Sequence, residues 1–403
     1  MSTMTALWLL AALLAPPGDA IQLGARAGAG VIDAEPYLVL DPWAGGQWGD
    51  FALALHAPLR VRFDDATLRA RDWDEPADFG RLLRFARYGE LVRVGLLGDL
   101  SLGHGTLVRR YHNGVDDDHH RLGARVAWSG DRLSLDAFAD QLLAPPVFGL
   151  RAGWQITDRW RAAIAFAADT AAPETLDGTA DATGRLRGDT GAFTGLSLEA
   201  ACDLIGLDVD RALEAYLALQ LLDRDRPGAH LGLAGAGRPH PDWRIEGRLE
   251  GIALGEGYLW SPFDTGYLVD RYRRLLAAAD GLKATLGGRV GLTVAYREAI
   301  VVGAEYADAL TRGRADLSAW LQVPLEDLSV GAYWRQRAGP ERLSVFDPAE
   351  ALAAAAATMQ LSPGWWVDVT LARVWRVLPD EAGEPVLAPT TEFFVTLEAA
   401  FGF

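Results

Sequence analysis

The sequence has little cysteine, little lysine and no long hydrophobic run after its first twenty residues. Cys202 is the only cysteine among 403 residues, so no internal disulfide can hold the fold. Its neighbours Leu198 and Ala200 place the thiol on the apolar face of a strand. Beyond residue 20, no stretch runs for about 18 apolar residues without a charge, which disfavours a membrane protein built from helices.

Positive charge is also scarce. The chain has 38 basic and 54 acidic residues, a net charge of -16, and Lys283 is its only lysine. A chain this acidic repels phosphate backbones, and we therefore expect no nucleic-acid partner. The sequence contains no Walker loop, no paired CxxC and no HExxH motif, so we expect no cofactor and no metal ion.

The first twenty residues predict a secretory signal peptide. Ala6 to Ala15 form a short apolar core, and Gly18 and Ala20 supply small residues at the spacing that signal peptidase prefers. The apolar run is too short to span a bilayer, which disfavours an anchor helix. We expect residues 1–20 to be removed and the mature chain to begin near Ile21.

The rest of the chain, residues 21–403, shows a period of two in its apolar residues. Successive side chains of a strand point to opposite faces, so each segment has one apolar and one polar face. Tryptophans lie near segment ends, and short turns alternate with longer polar stretches. This pattern predicts an all-β fold: a single transmembrane antiparallel β-barrel of about 16–18 strands, with short periplasmic turns and longer outer loops.

Two segments fit the alternation less well. Residues 350–361 follow Asp347-Pro348 with a run of alanines, which also suits the start of a helix. Residues 64–88 carry apolar residues at a partly helical spacing. We expect a strand in the first segment and some helix in the second.

The last thirteen residues alternate strictly and end on an aromatic side chain. Phe393, Val395, Leu397, Ala399, Phe401 and Phe403 share one face of this segment. It resembles the carboxy-terminal targeting strand of outer-membrane barrels of Gram-negative bacteria, in which the assembly machinery reads a terminal phenylalanine. The resemblance implies porin-like architecture in the outer membrane, outer-membrane lipid and the barrel-assembly machinery as partners, and an assembly signal at Phe401 and Phe403.

Charged residues on the polar faces predict a pore for small hydrophilic solutes. An arginine on the lipid face costs about 2–4 kcal/mol at the bilayer midplane, so a dozen such residues must face the lumen. The predicted pore-lining residues are Arg60, Arg62, Arg125, Arg151, Arg244, Glu246, Arg248, Glu250, Lys283, Arg289, Arg297 and Arg335. The predicted lipid-facing neighbours are Leu59, Val61, Val126, Ala152, Ile245, Leu249, Leu286, Val290, Val294 and Trp334.

Two loops are candidates for a rim or constriction. Arg109 and Arg110 follow Gly103-His104-Gly105-Thr106 and could attract anionic solutes, although a glycine-rich turn with solvated arginines explains them equally. Residues 255–281 form the longest loop, which either narrows the channel or packs over the barrel mouth. Its charged candidates are Asp270, Arg271, Arg273 and Arg274.

Two other functions stay open at this point. An outer-membrane hydrolase could use His104 with Ser101, or His119 beside the acidic run 116–118, but no third catalytic group is placed by spacing. A structural barrel with a plugged lumen is the other alternative. We favour the pore and expect no enzymatic activity.

Overall fold

The computed structural model describes residues 20–74, 76–114, 121–142, 146–174, 189–208, 211–268, 271, 275, 282–297, 299–310, 314–338, 351–379 and 385–402. Twenty antiparallel strands close into one barrel. Numbered β1 to β20 in chain order, they are Ala20–Ile32, Glu35–Trp48, Phe51–His56 continued as Leu59–Arg62, Leu83–Tyr88, Val92–Gly95, Gly123–Ser129, Leu133–Ala139, Val147–Gln155, Trp160–Pro173, Thr190–Asp208, Arg211–Leu222, Arg226–His240, Trp243–Leu254, Thr285–Tyr296, Ile300–Ala309, Arg314–Pro324, Leu328–Ala338, Ala351–Ser362, Trp365–Pro379 and Pro385–Gly402.

Each strand pairs with the next along the chain, and the last strand closes the ring against the first. Gln22 of β1 lies opposite Gly402 of β20, and Ile32 lies opposite Glu392. This closed antiparallel sheet confirms the predicted fold class. Two short 3-10 helices lie within the segment that was expected to be partly helical, and residues 351–362 form the expected strand. Within the described ranges, no helix is long and apolar enough to cross a membrane.

The barrel has more strands than the sixteen to eighteen that the sequence suggested. The two unrecognised strands are β1 and β4. In β1, AIQLGARAGAGVI, glycine and alanine dilute the contrast between the two faces. In β4, LRFARY, six residues are too few for alternation to stand out beside the helical spacing that precedes them.

The two ends of the barrel differ in the length of their connections. At one end, the connections between strands have two to four residues, as at 49–50, 156–159 and 363–364. The other end carries long connections such as 63–82, 96–122 and 255–284. Short turns identify the periplasmic end of such barrels, so the long loops lie on the outer side.

The outer surface of the barrel is apolar. Leu231, Leu249 and Leu286 are 66%, 61% and 63% exposed, whereas Glu250, the neighbour of Leu249, is 2% exposed. Six exposed tryptophans lie at the strand ends next to short turns, where an aromatic girdle meets the headgroup region: Trp48, Trp128, Trp154, Trp160, Trp243 and Trp365. An apolar wall with an aromatic girdle suits lipid, and the chain is a β-barrel of the outer membrane.

Deletion of Phe403 is expected to lower the yield of assembled barrel without changing its lumen. Phe403 lies outside the described residues, but Phe401 on the preceding strand is exposed to the lipid side and lies opposite Leu23 at the closing seam. The measurement is the fraction of heat-modifiable, folded protein in outer membranes. Equal yields from wild type and truncation would contradict the assembly role.

The predicted signal peptide stays a prediction. Residues 1–19 lie outside the described part of the chain, and Ala20 begins β1.

Candidate functional site: the constricted lumen

Two loops fold into the lumen and pack together. The first inward loop comprises residues 96–114, and the second comprises residues 255–268. Val108–Arg109 and Phe263–Asp264 pair as a short parallel sheet inside the barrel. The largest fully buried side chains of the two loops are Leu100, Leu102, Leu107, Val108, Tyr111, Tyr258, Phe263 and Tyr267. These loops build an apolar core against one side of the inner wall.

Glycines in the wall make room for this core. A Cβ atom on Gly195 would lie 2.4 Å from Leu107, and one on Gly228 would lie 2.4 Å from Tyr258. Real Cβ atoms do not approach other atoms so closely, because close-packed interiors leave no space to relax. The wall sequence is therefore adapted to the inward position of both loops.

Glu250 is the centre of a buried polar cluster beneath the second loop. Its carboxylate accepts hydrogen bonds from Arg289 at 2.9 Å and from Tyr216, and Arg248 forms an ion pair with it at 3.2 Å. His230 lies 3.2 Å from Glu250 through Nδ1 and 2.8 Å from the Tyr258 hydroxyl through Nε2. A buried carboxylate requires such partners, and here they join the loop to the wall.

The predicted rim arginines contact the opposite side of the lumen. Arg109 donates from Nε to Glu305 at 2.9 Å, and the same carboxylate lies 3.4 Å from Arg289. The guanidinium of Arg110 lies 3.6 Å from the ring centroid of Trp320, an arrangement that favours cation–π attraction. Both loop arginines therefore reach across to wall strands rather than into open solvent.

Arg335 joins the second loop to the wall. It donates from Nη2 to Asp264 at 2.6 Å and from Nε to Asp316 at 3.0 Å. Arg271, which was predicted at the rim, instead donates to the fully buried Asp169 at 2.8 Å. Residues 264 and 271 thus form ion pairs with two different wall strands, β17 and β9.

His104 lies between two carboxylates at the tip of the first loop. Its Nε2 is 2.6 Å from Glu214, its Nδ1 is 3.4 Å from Glu199, and its ring stacks on Tyr216 with centroids 4.1 Å apart. Both ring nitrogens of His104 therefore contact carboxylates of the wall, one on β10 and one on β11. This histidine holds the loop in place.

Of the residues considered for a hydrolase, Ser101 and His104 are described, and they are not arranged as a catalytic pair. Ser101 accepts a hydrogen bond from the backbone N–H of Arg110 at 2.9 Å, and it is not paired with His104. Burial lowers the pKa of His112 to about 4, and its Nδ1 accepts from the N–H of Gly114 at 3.0 Å. The acidic run 116–118 and His119 lie outside the described residues.

A cavity of about 370 Å³ remains between Arg109 and Arg110 of the first inward loop and the wall. Several of its residues lie within the first four residues of β9 and β11, next to short turns. The cavity therefore lies toward the periplasmic side of the constriction. Its lining balances four arginines against four carboxylates: Arg109, Arg110, Arg161, Arg248, Asp203, Glu214, Glu246 and Glu305. The charged side chains that line the cavity therefore carry both signs in equal number.

The other predicted pore-lining residues occupy several environments. Arg60, Arg62, Arg125 and Arg151 form ion pairs with Asp72, Asp64, Asp136 and Glu199, respectively. Arg244 and Glu246 form a half-exposed pair at 2.7 Å. Lys283 precedes β14 and Arg297 lies in the turn after it, so neither occupies a wall position. Asp270, Arg273 and Arg274 lie outside the described residues.

The predicted lipid-facing residues are exposed to different degrees. Val126, Ile245, Leu249, Leu286 and Val290 are exposed, and Leu59, Val61, Ala152, Val294 and Trp334 are partly exposed.

A second polar cluster lies on β1, β2, β3, β19 and β20, and none of its residues was predicted as a site residue. Arg26 donates to Glu398 at 2.9 Å and lies 3.5 Å from Asp368. His56 lies 3.0 Å from Asp41 through Nδ1. Across the described ranges, no group of three or more candidate ligands could hold a metal ion.

A closed barrel with an apolar exterior and a charged interior narrowed by inward loops defines a porin-like outer-membrane protein. No family model matches the chain, and neither does any curated protein. Among solved structures, OccAB3 of Acinetobacter baumannii is 11% identical with a TM-score of 0.38, covering 96% of this chain and 100% of that one.

Two structures from Pseudomonas aeruginosa are similar to the same degree. OccK9 (OpdG) is 12% identical with a TM-score of 0.38, covering 95% of this chain and 98% of that one. OpdK, solved with vanillate, is 9% identical with a TM-score of 0.37 and the same coverage. The fold assignment rests on the strand pairing of this chain itself.

Proposed function

We propose that the protein is a channel through which small hydrophilic solutes cross the outer membrane. The charged cavity between the first inward loop and the wall carries this proposal. Its volume, about 370 Å³, lies at the small end of ligand pockets, which span about 300–1,000 Å³. Solutes of that size pass a narrow region that offers both donors and acceptors.

The balance of charge in the cavity favours weak and reversible contacts. Conduction requires binding that is favourable enough for entry and weak enough for release. Arginines and carboxylates that already pair with each other present partial charges of both signs to a passing solute. Such a lining suits zwitterionic solutes, which carry one positive and one negative group.

Planar-bilayer conductance of the purified protein tests the proposal. We expect discrete conductance steps from the wild type and smaller steps from Ala234→Trp, because Ala234 lines the cavity and indole would occupy it. Leu233→Trp is the matched control, since Leu233 is 41% exposed on the lipid side and its replacement should leave conductance unchanged.

A plugged structural barrel is the second candidate. It is favoured by the ion pairs that join both inward loops to the wall, such as Arg335 with Asp264 and Arg109 with Glu305. Folded wild-type protein that inserts into bilayers without conductance steps would establish this alternative and overturn the channel.

A further inference from the structure

A groove runs across the outside of the barrel over strands β14 to β20. Its volume is about 920 Å³, and its lining is almost entirely apolar. Rim residues such as Val302 and Leu371 are 50% and 46% exposed. Between them the strands contribute small side chains: Ala304, Ala319, Ala332, Ala353 and Ala355. The wall is therefore concave where these alanines replace larger residues.

Arg373 lies at one end of this groove, on the lipid-facing side of the sheet. It follows Leu371 by two residues and so shares its face, and it pairs in register with Ala353 and the exposed Thr391. Its Nε is buried and has no hydrogen-bond partner, and it forms no ion pair with any residue that the structure describes. An unpaired guanidinium on this face is costly unless an anion from outside the chain reaches it.

The depth of Arg373 indicates where that anion comes from. Trp365 marks the periplasmic girdle, and Arg373 follows it by eight residues on the same strand. At about 3.3 Å per residue and a tilt of about 40°, Arg373 is about 20 Å further across the membrane. The apolar band is about 25 Å tall, so the guanidinium lies near its outer boundary, at the level of lipid headgroups.

We propose that this groove is a binding site for an anionic, phosphate-bearing membrane lipid. One acyl chain occupies the alanine-floored concavity, and the phosphate accepts hydrogen bonds from Arg373. A guanidinium can bind two phosphate oxygens at once, which makes arginine suited to this contact. The hydroxyl of Thr391, in register beside Arg373, is a second donor for the headgroup.

Native mass spectrometry of the folded barrel tests the proposal with phosphatidylglycerol and phosphatidylcholine added at equal concentrations. The wild type should retain phosphatidylglycerol preferentially. Arg373→Gln should lower that preference about fivefold, the effect of about 1 kcal/mol from one basic residue at a membrane surface. Arg373→Lys should keep part of the preference, and Ala332→Phe should lower retention of both lipids by filling the groove.

Arg244→Gln, which removes an arginine from the lumen, is the matched control and should retain lipid as the wild type does. Heat-modifiable mobility verifies that every variant is folded. Equal retention of the two lipids by the wild type, or equal preference in wild type and Arg373→Gln, would overturn the proposal. A stable dimer formed through this face in lipid-free detergent would assign the groove to a second copy instead.

Discussion

Replacing Arg244 and Arg248 together with glutamine is expected to shift the ion selectivity of the channel toward cations. Both arginines lie on the inner face of β13, where Arg244 pairs with Glu246 and Arg248 with Glu250. Their removal leaves the carboxylates in excess. One unit charge at about 4 Å in water changes an ion's energy by about 1 kcal/mol, or about fivefold in relative permeability. The reversal potential in a salt gradient measures this change.

The matched control for this experiment reverses the sign. Glu246→Gln removes a carboxylate from the same strand face and should shift the reversal potential toward anions. High salt should reduce both shifts, because exposed charges are screened within about 10 Å at 0.1 M. Unchanged reversal potentials in both variants would mean that these residues do not line the conducting path.

Arg289→Met is expected to destabilise the barrel by about 3–5 kcal/mol, because it leaves a buried carboxylate without a main partner. Arg289 is 4% exposed and donates to Glu250 at 2.9 Å and to Ser261 of the second inward loop at 2.8 Å. The measurement is the free energy of unfolding from denaturant titration in detergent micelles.

Arg297→Met serves as the control, because its ion pair with Asp242 at 3.3 Å is exposed in a turn. Exposed pairs contribute at most about 1 kcal/mol, so this variant should unfold nearly as the wild type does. Arg289→Met combined with Glu250→Gln should recover part of the lost stability. A cost for Arg289→Met no larger than that for Arg297→Met would show that the cluster is not important for stability.

Alternation along the strands predicted the barrel together with the charged polar faces, the tryptophans at segment ends and the alternating turn lengths. A register shift of one residue would place the inward-facing charged side chains in lipid, so the sequence must keep a clear pattern where the wall contacts the membrane. The alternation of apolar and polar residues is less clear where few large or charged side chains face either side. In β1, small residues face both sides, and Gly28 leaves room for the neighbouring Val395 carbonyl, 2.1 Å from where a Cβ would lie.

The site was less predictable than the barrel, because its contacts join residues that are distant in sequence. Glu305 alternates onto the inner face of β15, a position that strand periodicity could have identified. Asp264, His230 and Tyr258 gain their roles only when the loop meets the wall. No local sequence pattern predicts such a contact, because the loop and the wall strand come together only when the barrel closes.

The parallel pairing of Val108–Arg109 with Phe263–Asp264 has a consequence for the order of folding. The hydrogen bond from Thr265 to the Arg110 carbonyl joins residues separated by 155 positions, whereas neighbouring strands pair as short-range hairpins. Contacts between distant residues carry a larger loop-closure entropy, so they form late. The hairpins of the wall therefore pair first, and the contact between the two inward loops forms after them.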